Sequence, residues 1–131
     1  MWLRAGLLRL ARTRPAGWLI RFGLTKMTFA IPLHRLRETA TLLAFHHPSP
    51  SYPVHVLIVP KRPYHSLLDV PPEDSAFLHD LIQTVQSLVR EMGLEEGGYR
   101  LVANGGGYLD VPVLHFHLLA ENKNERRGAA E

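Results

Sequence analysis

The run from residue 111 to residue 119 constrains the fold most, because it has the apolar character of a buried strand and carries two histidines. Successive side chains of a strand point to opposite faces, so His115 and His117 are predicted to project side by side. The leucine and phenylalanine side chains that alternate with them are predicted to pack on the other face. Two imidazoles on an apolar strand are costly unless they hydrogen-bond, so this run is the best indication of function.

The remainder of the chain has the pattern of a compact α+β domain, and 131 residues suffice to bury a core. Further strands are predicted at residues 40–45, 54–59 and 99–103. The loop between the first two, residues 46–53, contains three prolines, which cannot sustain a strand ladder. A flexible glycine turn at residues 104–107 precedes the last strand and allows backbone amides to approach a ligand.

One long helix is predicted after the Pro71-Pro72 pair, with acidic residues in its first turn and Gly93 at its end. Glu73 and Asp74 are the predicted first-turn acids, which the positive end of the helix dipole favours. A four-three-four spacing of apolar residues predicts the buried face, which consists of Leu78, Ile82, Val85 and Val89.

The charge is unevenly distributed along the chain. Residues 1–37 carry eight basic residues and no acidic one, whereas residues 38–131 carry seven basic and twelve acidic residues. We therefore predict an N-terminal helical extension over residues 1–26 and a domain over residues 27–131. Leucine and tryptophan on one side and arginine on the other are typical of a helix in a membrane interface, so peripheral membrane contact is one prediction.

Other interpretations of residues 1–26 stay open: the extension could pack on the domain, act as a targeting peptide, or simply precede a core that begins at Met27. Organellar targeting is less favoured because the segment lacks serine, and a cytoplasmic location is predicted. No run of 18 apolar residues predicts a membrane-spanning helix. The absence of cysteine excludes disulfides and thiolate zinc sites, and the basic residues of the domain are too scattered to predict nucleic-acid binding.

Three histidines form the candidate constellation: His55 on one predicted strand, and His115 and His117 on another. They could supply a nucleophile that attacks phosphorus, ligands for a metal ion, or only hydrogen bonds that stabilise the sheet. The metal interpretation is the weakest, because no carboxylate or cysteine at short spacing completes a coordination shell; Asp110 and His47 would have to be recruited from a distance.

The chain resembles the histidine-triad (HIT) family in two motifs that occur in matching order. Residues 52–61, Tyr-Pro-Val-His-Val-Leu-Ile-Val-Pro-Lys, resemble the first signature of that family. Residues 114–119, Leu-His-Phe-His-Leu-Leu, resemble the end of its triad of alternating histidines. The resemblance covers roughly residues 33–120, and two ordered motifs are more specific than either motif alone.

The resemblance implies a role for each candidate residue. His115 would be the nucleophile that attacks the α-phosphate of a nucleotide conjugate and forms a nucleotidyl-histidine intermediate. His117 would hydrogen-bond phosphate oxygens or the departing group, and His55 would help to order the other histidines. The implied substrate-binding turn lies near the phosphate and ribose and consists of Asn104, Gly105, Gly106 and Gly107. No metal or other cofactor is implied.

Three departures from the family pattern concern the candidate site. Val113 replaces the first histidine of the triad. Asp110 lies near the point where the family has a phosphate-contacting Ser or Thr; its carboxylate would repel phosphate by about 1 kcal/mol or more, or could instead orient a histidine. His47 occupies the position of the acidic residue that grips the ribose hydroxyls, although a histidine before Pro48 is also typical of a solvated loop.

The resemblance implies an α+β fold, with an antiparallel sheet of about five strands, one long helix packed on it, and a homodimer in which two sheets join. The implied function is a hydrolase or transferase that cleaves a nucleoside phosphoramidate or phosphoanhydride at the α-phosphate. The alternative is a catalytically weak or inactive binding module for a phosphorylated ligand or a protein partner. Packing that seals His115 would favour the binding module.

Overall fold

Five strands form one antiparallel sheet in the structure, a computed structural model that describes residues 35–109 and 111–121. The strands are β1 (Arg35–Glu38), β2 (Leu42–His46), β3 (Val54–Pro60), β4 (Arg100–Ala103) and β5 (Phe116–Ala120), in the order β1-β2-β3-β5-β4. Helix α1 (Ser75–Glu91) lies between β3 and β4 in the chain. Two 3₁₀ turns complete the described elements, Leu67–Asp69 and Gly106–Tyr108. The predicted α+β fold is confirmed.

The two central strands, β3 and β5, are buried along their whole length. Val56 and Phe116 belong to the core cluster that includes the buried face of α1. His55 and His117 lie on the opposite face of the sheet, and both are buried as well. Because both faces are covered, these strands have almost continuous apolar sequences rather than alternating polar and apolar residues.

The buried stripe of helix α1 matches the predicted one only in part: Val85 and Val89 are buried as predicted. Its buried residues are Phe77, Leu81, Thr84, Val85, Leu88 and Val89. Leu78 and Ile82 are 36% and 53% exposed, so their predicted place in the core was wrong. Apolar residues occupy two adjacent stripes of this helix, and periodicity alone does not distinguish the stripe that faces the sheet.

The ends of α1 also differ in part from the prediction. Asp74 is the N-cap, where its carboxylate accepts a hydrogen bond from the Phe77 amide, and Glu73 precedes the helix. The prediction of acidic residues within the first turn was therefore wrong. At the other end Gly93 has a φ of 69°, a left-handed conformation that favours glycine, so the predicted end of the helix is confirmed.

The last strand is shorter than predicted, and one strand was missed. β5 begins at Phe116, and His115 lies immediately before it. Pro112 has no amide hydrogen to donate to a ladder, and the Leu114 amide donates to the Tyr64 carbonyl at 2.8 Å instead of to a strand. The first strand, β1, carries two arginines and a glutamate among its four residues and therefore lacks the apolar pattern that predicts a buried strand.

Within residues 35–109 and 111–121, no helix is long and apolar enough to cross a membrane. The predictions for the extension over residues 1–26, and for Asp110 near the glycine turn, fall outside the described residues.

Candidate active site

Four histidine rings form one cluster on the sheet face opposite α1: His47, His55, His115 and His117. All four are buried. The ring of His55 lies 4.4 Å from that of His47 and 5.3 Å from that of His117, measured between ring centroids. The rings of His115 and His117 are 5.0 Å apart. The structure therefore brings the three predicted catalytic histidines together and adds a fourth.

The pairing of β3 with β5 places His55 beside His117. Their antiparallel register matches His55 with Leu119 and Leu57 with His117, so the two histidines are diagonal neighbours on one face. The Nε2 of His55 lies 3.0 Å from the Nδ1 of His117, within hydrogen-bonding distance. Sixty-one residues separate His55 from His117 in the chain, so the two sequence motifs meet only through this strand pairing.

A backbone carbonyl orients the ring of His115. Its Nδ1 lies 2.9 Å from the carbonyl oxygen of Val113. A carbonyl only accepts, so the Nδ1 of His115 carries the hydrogen, and the Nε2 of the neutral ring keeps its lone pair. This contact uses the main chain of Val113, so the side chain that replaces the first histidine of the triad leaves the orientation of His115 intact.

The Nε2 atom of His115 remains accessible although the residue is only 9% exposed. Among the described residues, no hydrogen bond reaches this Nε2, and no fully enclosed side-chain nitrogen or oxygen lacks a partner. The Nε2 atom therefore retains contact with solvent. His115 is also the most exposed of the four clustered histidines.

Burial keeps the clustered imidazoles neutral. Desolvation, reinforced by the neighbouring histidines, lowers the pKa of His117 to about 2, that of His55 to about 3 and that of His47 to about 4. Burial also lowers the pKa of His115, while its hydrogen bond to the Val113 carbonyl opposes the shift. A neutral imidazole is the form that can act as a nucleophile at pH 7.

The interpretation of His47 as a solvated loop side chain was wrong. His47 is 5% exposed, and its ring packs against that of His55. Its amide donates to the His55 carbonyl at 2.8 Å, and its Nδ1 accepts from the Ser49 amide at 2.9 Å. The residues around His47 read as a proline-rich loop, and only the pairing of β2 with β3 reveals that the loop folds back over the sheet.

The glycine turn leaves the sheet beside the histidine cluster. Ala103 pairs with Phe116, the residue that follows His115, and Asn104 continues the chain from that point. Gly106 has a φ of 58°, a conformation that favours glycine. A Cβ atom at Gly105, Gly106 or Gly107 would meet no atom within 4 Å, so the backbone of the turn borders open space.

Tyr52 is a member of the site that the sequence analysis did not single out, although it lies in the first motif. Its ring meets that of His55 edge to face, with the centroids 5.6 Å apart, and it packs against Leu119. Desolvation raises the pKa of its phenol. Among residues 35–109 and 111–121, no group of three or more metal-ligating side chains is arranged to hold a metal ion.

Comparisons with known proteins agree with this geometry. A protein-family model described as HIT domain matches residues 28–124. An uncharacterised HIT-like protein of Synechococcus elongatus is 42% identical over 91 residues, which cover 68% of this chain and 79% of that protein. The solved structure of a HIT family hydrolase from Legionella pneumophila has a TM-score of 0.62 and 34% identity, and the match covers 71% of this chain and 85% of that one.

A second solved structure, a histidine triad nucleotide-binding protein from Candida albicans, has a TM-score of 0.61 and 30% identity. The match covers 72% of this chain and 69% of that one. The similarity extends over both motifs and all four histidines of the cluster.

Proposed function

The chain belongs to the HIT family, and on that premise we propose that it is a nucleotide-binding hydrolase or transferase that cleaves its substrate at the α-phosphate. The single observation that carries the proposal is the orientation of His115. Its Nδ1–H donates to the Val113 carbonyl, which leaves the lone pair of Nε2 available. The related proteins described as a hydrolase and as nucleotide-binding support the same class of reaction.

The proposed reaction proceeds in two steps. The Nε2 of His115 attacks the α-phosphorus of a nucleoside phosphoramidate or phosphoanhydride; an Nε2–P bond forms, and the bond to the leaving group breaks. The leaving group departs with the bonding electron pair and takes a proton from solvent. Water then attacks phosphorus, the Nε2–P bond breaks, and the neutral imidazole is restored as the water gives up its proton. Another acceptor in place of water would make the enzyme a transferase.

Charge on the phosphoryl oxygens must be met by donors that are already in position. His117 lies next to the nucleophile and is proposed to donate a hydrogen bond to one of these oxygens. The backbone of Gly105, Gly106 and Gly107 borders open space and is proposed to supply further donors, with Asn104 near the ribose. His55 is proposed to hold His117 through the contact between their ring nitrogens. Asp110 and His47 are proposed to line the same ligand site.

The test is to trap the intermediate. The full chain is mixed with adenosine phosphoramidate, quenched within milliseconds to seconds, digested and analysed by mass spectrometry. We expect an adenylyl group on His115 and on no other histidine. The absence of both an adduct and turnover, with several nucleoside phosphoramidates and phosphoanhydrides, would overturn the enzymatic proposal.

The second candidate function is a binding module, and the small exposure of His115 is the observation that favours it. Such a module would hold a nucleoside monophosphate on the histidine cluster without attacking it. Calorimetric titration with adenosine monophosphate separates the two functions when it is combined with the trapping experiment. Binding without adduct or turnover identifies the module, whereas binding with both identifies the enzyme.

We further propose that two copies of the chain associate through β4 and the exposed stripe of α1. Among residues 35–109 and 111–121, β4 is an edge strand of the sheet, and edge strands are where the sheets of two chains can pair. Leu101 of this strand is 38% exposed on the side that α1 covers, and Leu78 and Ile82 are exposed on α1. Exposed apolar residues beside an open strand edge are typical of an interface in which two sheets join.

Replacing Ile82 by glutamate is expected to convert the dimer into a monomer, because a charge would have to be buried in an apolar interface. Light scattering coupled to size-exclusion chromatography measures the mass directly. Gln83→Glu adds the same charge at the neighbouring exposed position and is the matched control, expected to remain dimeric. A wild-type mass of about 15 kDa, that of one chain, would contradict the proposed interface.

A further inference from the structure

Two backbone amides of the loop between β2 and β3 reach the rings of the histidine cluster. The Ser49 amide donates to the Nδ1 of His47 at 2.9 Å, and the Ser51 amide donates to the Nδ1 of His55 at 3.2 Å. Both serines are exposed, so their side chains are not what fixes this loop. The amide of His47 ties the loop to β3 by donating to the His55 carbonyl.

These amides decide which ring nitrogen carries the hydrogen. An amide only donates, so the Nδ1 of His55 must accept, and the hydrogen of the neutral ring lies on Nε2. That Nε2–H then donates to the Nδ1 of His117, 3.0 Å away. With its Nδ1 occupied as an acceptor, neutral His117 carries its hydrogen on Nε2. The same reasoning places the hydrogen of His47 on Nε2.

We propose that the backbone amides of Ser49 and Ser51 are positioning groups that fix the tautomers of His47 and His55, and through His55 that of His117. The loop thereby leaves His117 and His47 as neutral N–H donors beside one bare nitrogen, the Nε2 of His115. This arrangement suits an anionic group rich in oxygen acceptors, such as a phosphoryl group. The consequence for catalysis rests on the proposed function; the consequence for the tautomers does not.

The opposite tautomer would reverse the chemistry of the site. If His55 carried its hydrogen on Nδ1, that hydrogen would face the Ser51 amide hydrogen, and two donors would oppose each other. His117 would then have to donate through Nδ1, and its Nε2 lone pair would face the ligand. A lone pair directed at a phosphoryl oxygen repels it, so the site would lose a donor and gain a repulsive contact.

The sequence of the loop explains why the donors are at these two positions. Pro48, Pro50 and Pro53 have no amide hydrogen, and their fixed φ restricts the conformation of the loop. Ser49 and Ser51 alternate with Pro48 and Pro50, so every second residue of this run has an amide hydrogen. The prolines therefore leave few amide hydrogens in the loop, and those of Ser49 and Ser51 are directed at the two imidazoles that it covers.

The direct test is the tautomeric state of each imidazole in the wild-type protein, measured by long-range proton–nitrogen NMR correlation at pH 7.5 without ligand. We expect His47, His55 and His117 to be protonated on Nε2 and His115 to be protonated on Nδ1. A hydrogen on the Nδ1 of either His55 or His117 would overturn the proposal. This measurement needs no substitution and no activity.

Substitutions then test the role of each amide. Ser51→Pro removes one hydrogen-bond donor, whereas Ser51→Ala keeps it and removes only the hydroxyl. We expect Ser51→Pro to change the tautomers of His55 and His117 and to lower kcat about 100-fold, the loss typical of removing one donor to a developing anion. Ser51→Ala is expected to retain the wild-type tautomers and to restore turnover relative to Ser51→Pro.

Ser49→Pro provides the matched comparison, because it removes the other amide donor from the same loop. It is expected to change the tautomer of His47 and to leave His117 protonated on Nε2. If Ser51→Pro keeps the wild-type tautomers of His55 and His117 and the wild-type turnover, the proposal is wrong. Predicted tautomers together with no turnover in the wild type would support the positioning role and overturn the proposed function, so the two failures are distinguishable.

Discussion

Replacing His115 by asparagine is expected to lower kcat/KM for adenosine phosphoramidate by about three orders of magnitude or more, as is typical when a catalytic nucleophile is removed. The asparagine amide can still donate to the Val113 carbonyl, the contact that orients the wild-type ring. It has no nitrogen lone pair, so no covalent intermediate can form. Because the change removes the nucleophile and not the binding surface, the Kd for adenosine monophosphate is expected to change by about fivefold at most.

Two other variants separate this effect from general damage. His65 is exposed and lies outside the cluster, so His65→Asn is the control for exchanging a histidine for an asparagine. Val113→Ala keeps the carbonyl that orients His115 and is expected to retain most of the turnover, since only a side chain at the first triad position changes. Turnover by His115→Asn within about tenfold of the wild type would show that His115 is not the nucleophile.

Much of the fold can be predicted from short apolar runs and from the glycines and prolines that flank them. The run at residues 54–59 is nearly the observed strand β3, and Gly93 ends the helix as its position predicts. The predicted strand boundaries were wrong where a tertiary contact determines the end of the strand. The Leu114 amide bonds to the Tyr64 carbonyl and so ends the last strand early, and no local pattern reveals that contact.

The helix shows the limit of periodicity more clearly. Leu78 and Ile82 belong to a regular apolar stripe, yet the stripe through Phe77 and Leu81 faces the sheet. Both stripes satisfy the helical period, and only the packing of the helix on the sheet chooses between them. The exposed stripe is the one that we propose for the dimer interface.

Three of the four clustered histidines were predicted, since two lie on one apolar run and the third lies in a recognisable motif. His47 was predicted in part, as a substrate-binding position with a solvated alternative, because a residue before Pro48 has no local signal of burial. Its place against His55 arises from a loop that folds back over the sheet. The hydrogen bonds that fix the tautomers come from backbone amides and therefore leave no trace in residue types.

The same cluster is expected to make the domain unusually sensitive to mild acid. In the unfolded chain a histidine binds a proton as the pH falls below about 6.5. In the folded chain the pKa of His47, His55 and His117 lies between about 2 and 4, and that of His115 is also lowered. In mild acid the unfolded state therefore binds more protons than the folded state. The contribution of these histidines to the free energy of unfolding is fully present above about pH 6.5 and is lost as the pH decreases toward the folded pKa values.

His47, His55 and His117 are each expected to remove about 2 kcal/mol of the free energy of unfolding between pH 7 and pH 5. Together the three remove an amount comparable with the stability of a marginally stable small domain, so we expect the domain to be only weakly stable near pH 5. Carboxyl groups with lowered pKa values, such as those of Asp74 and Asp80, also stabilise the folded state, and this stabilisation is lost only below about pH 4. The two effects therefore occupy separate pH ranges.

Urea unfolding at a fixed protein concentration, repeated from pH 8 to pH 5, measures this linkage, because the slope of the free energy against pH counts the protons taken up on unfolding. The wild-type slope is expected to approach three protons near pH 5 from His47, His55 and His117, about 4 kcal/mol per pH unit. His117→Gln is expected to lower the slope by about one proton even if it also lowers the stability at pH 8, since the hydrogen bond to His55 is lost. His65→Gln makes the same exchange at an exposed histidine outside the cluster and is the matched control. A wild-type slope of less than one proton would mean that the clustered imidazoles take up protons as readily in the folded protein as in the unfolded chain, which would contradict their burial in the neutral form.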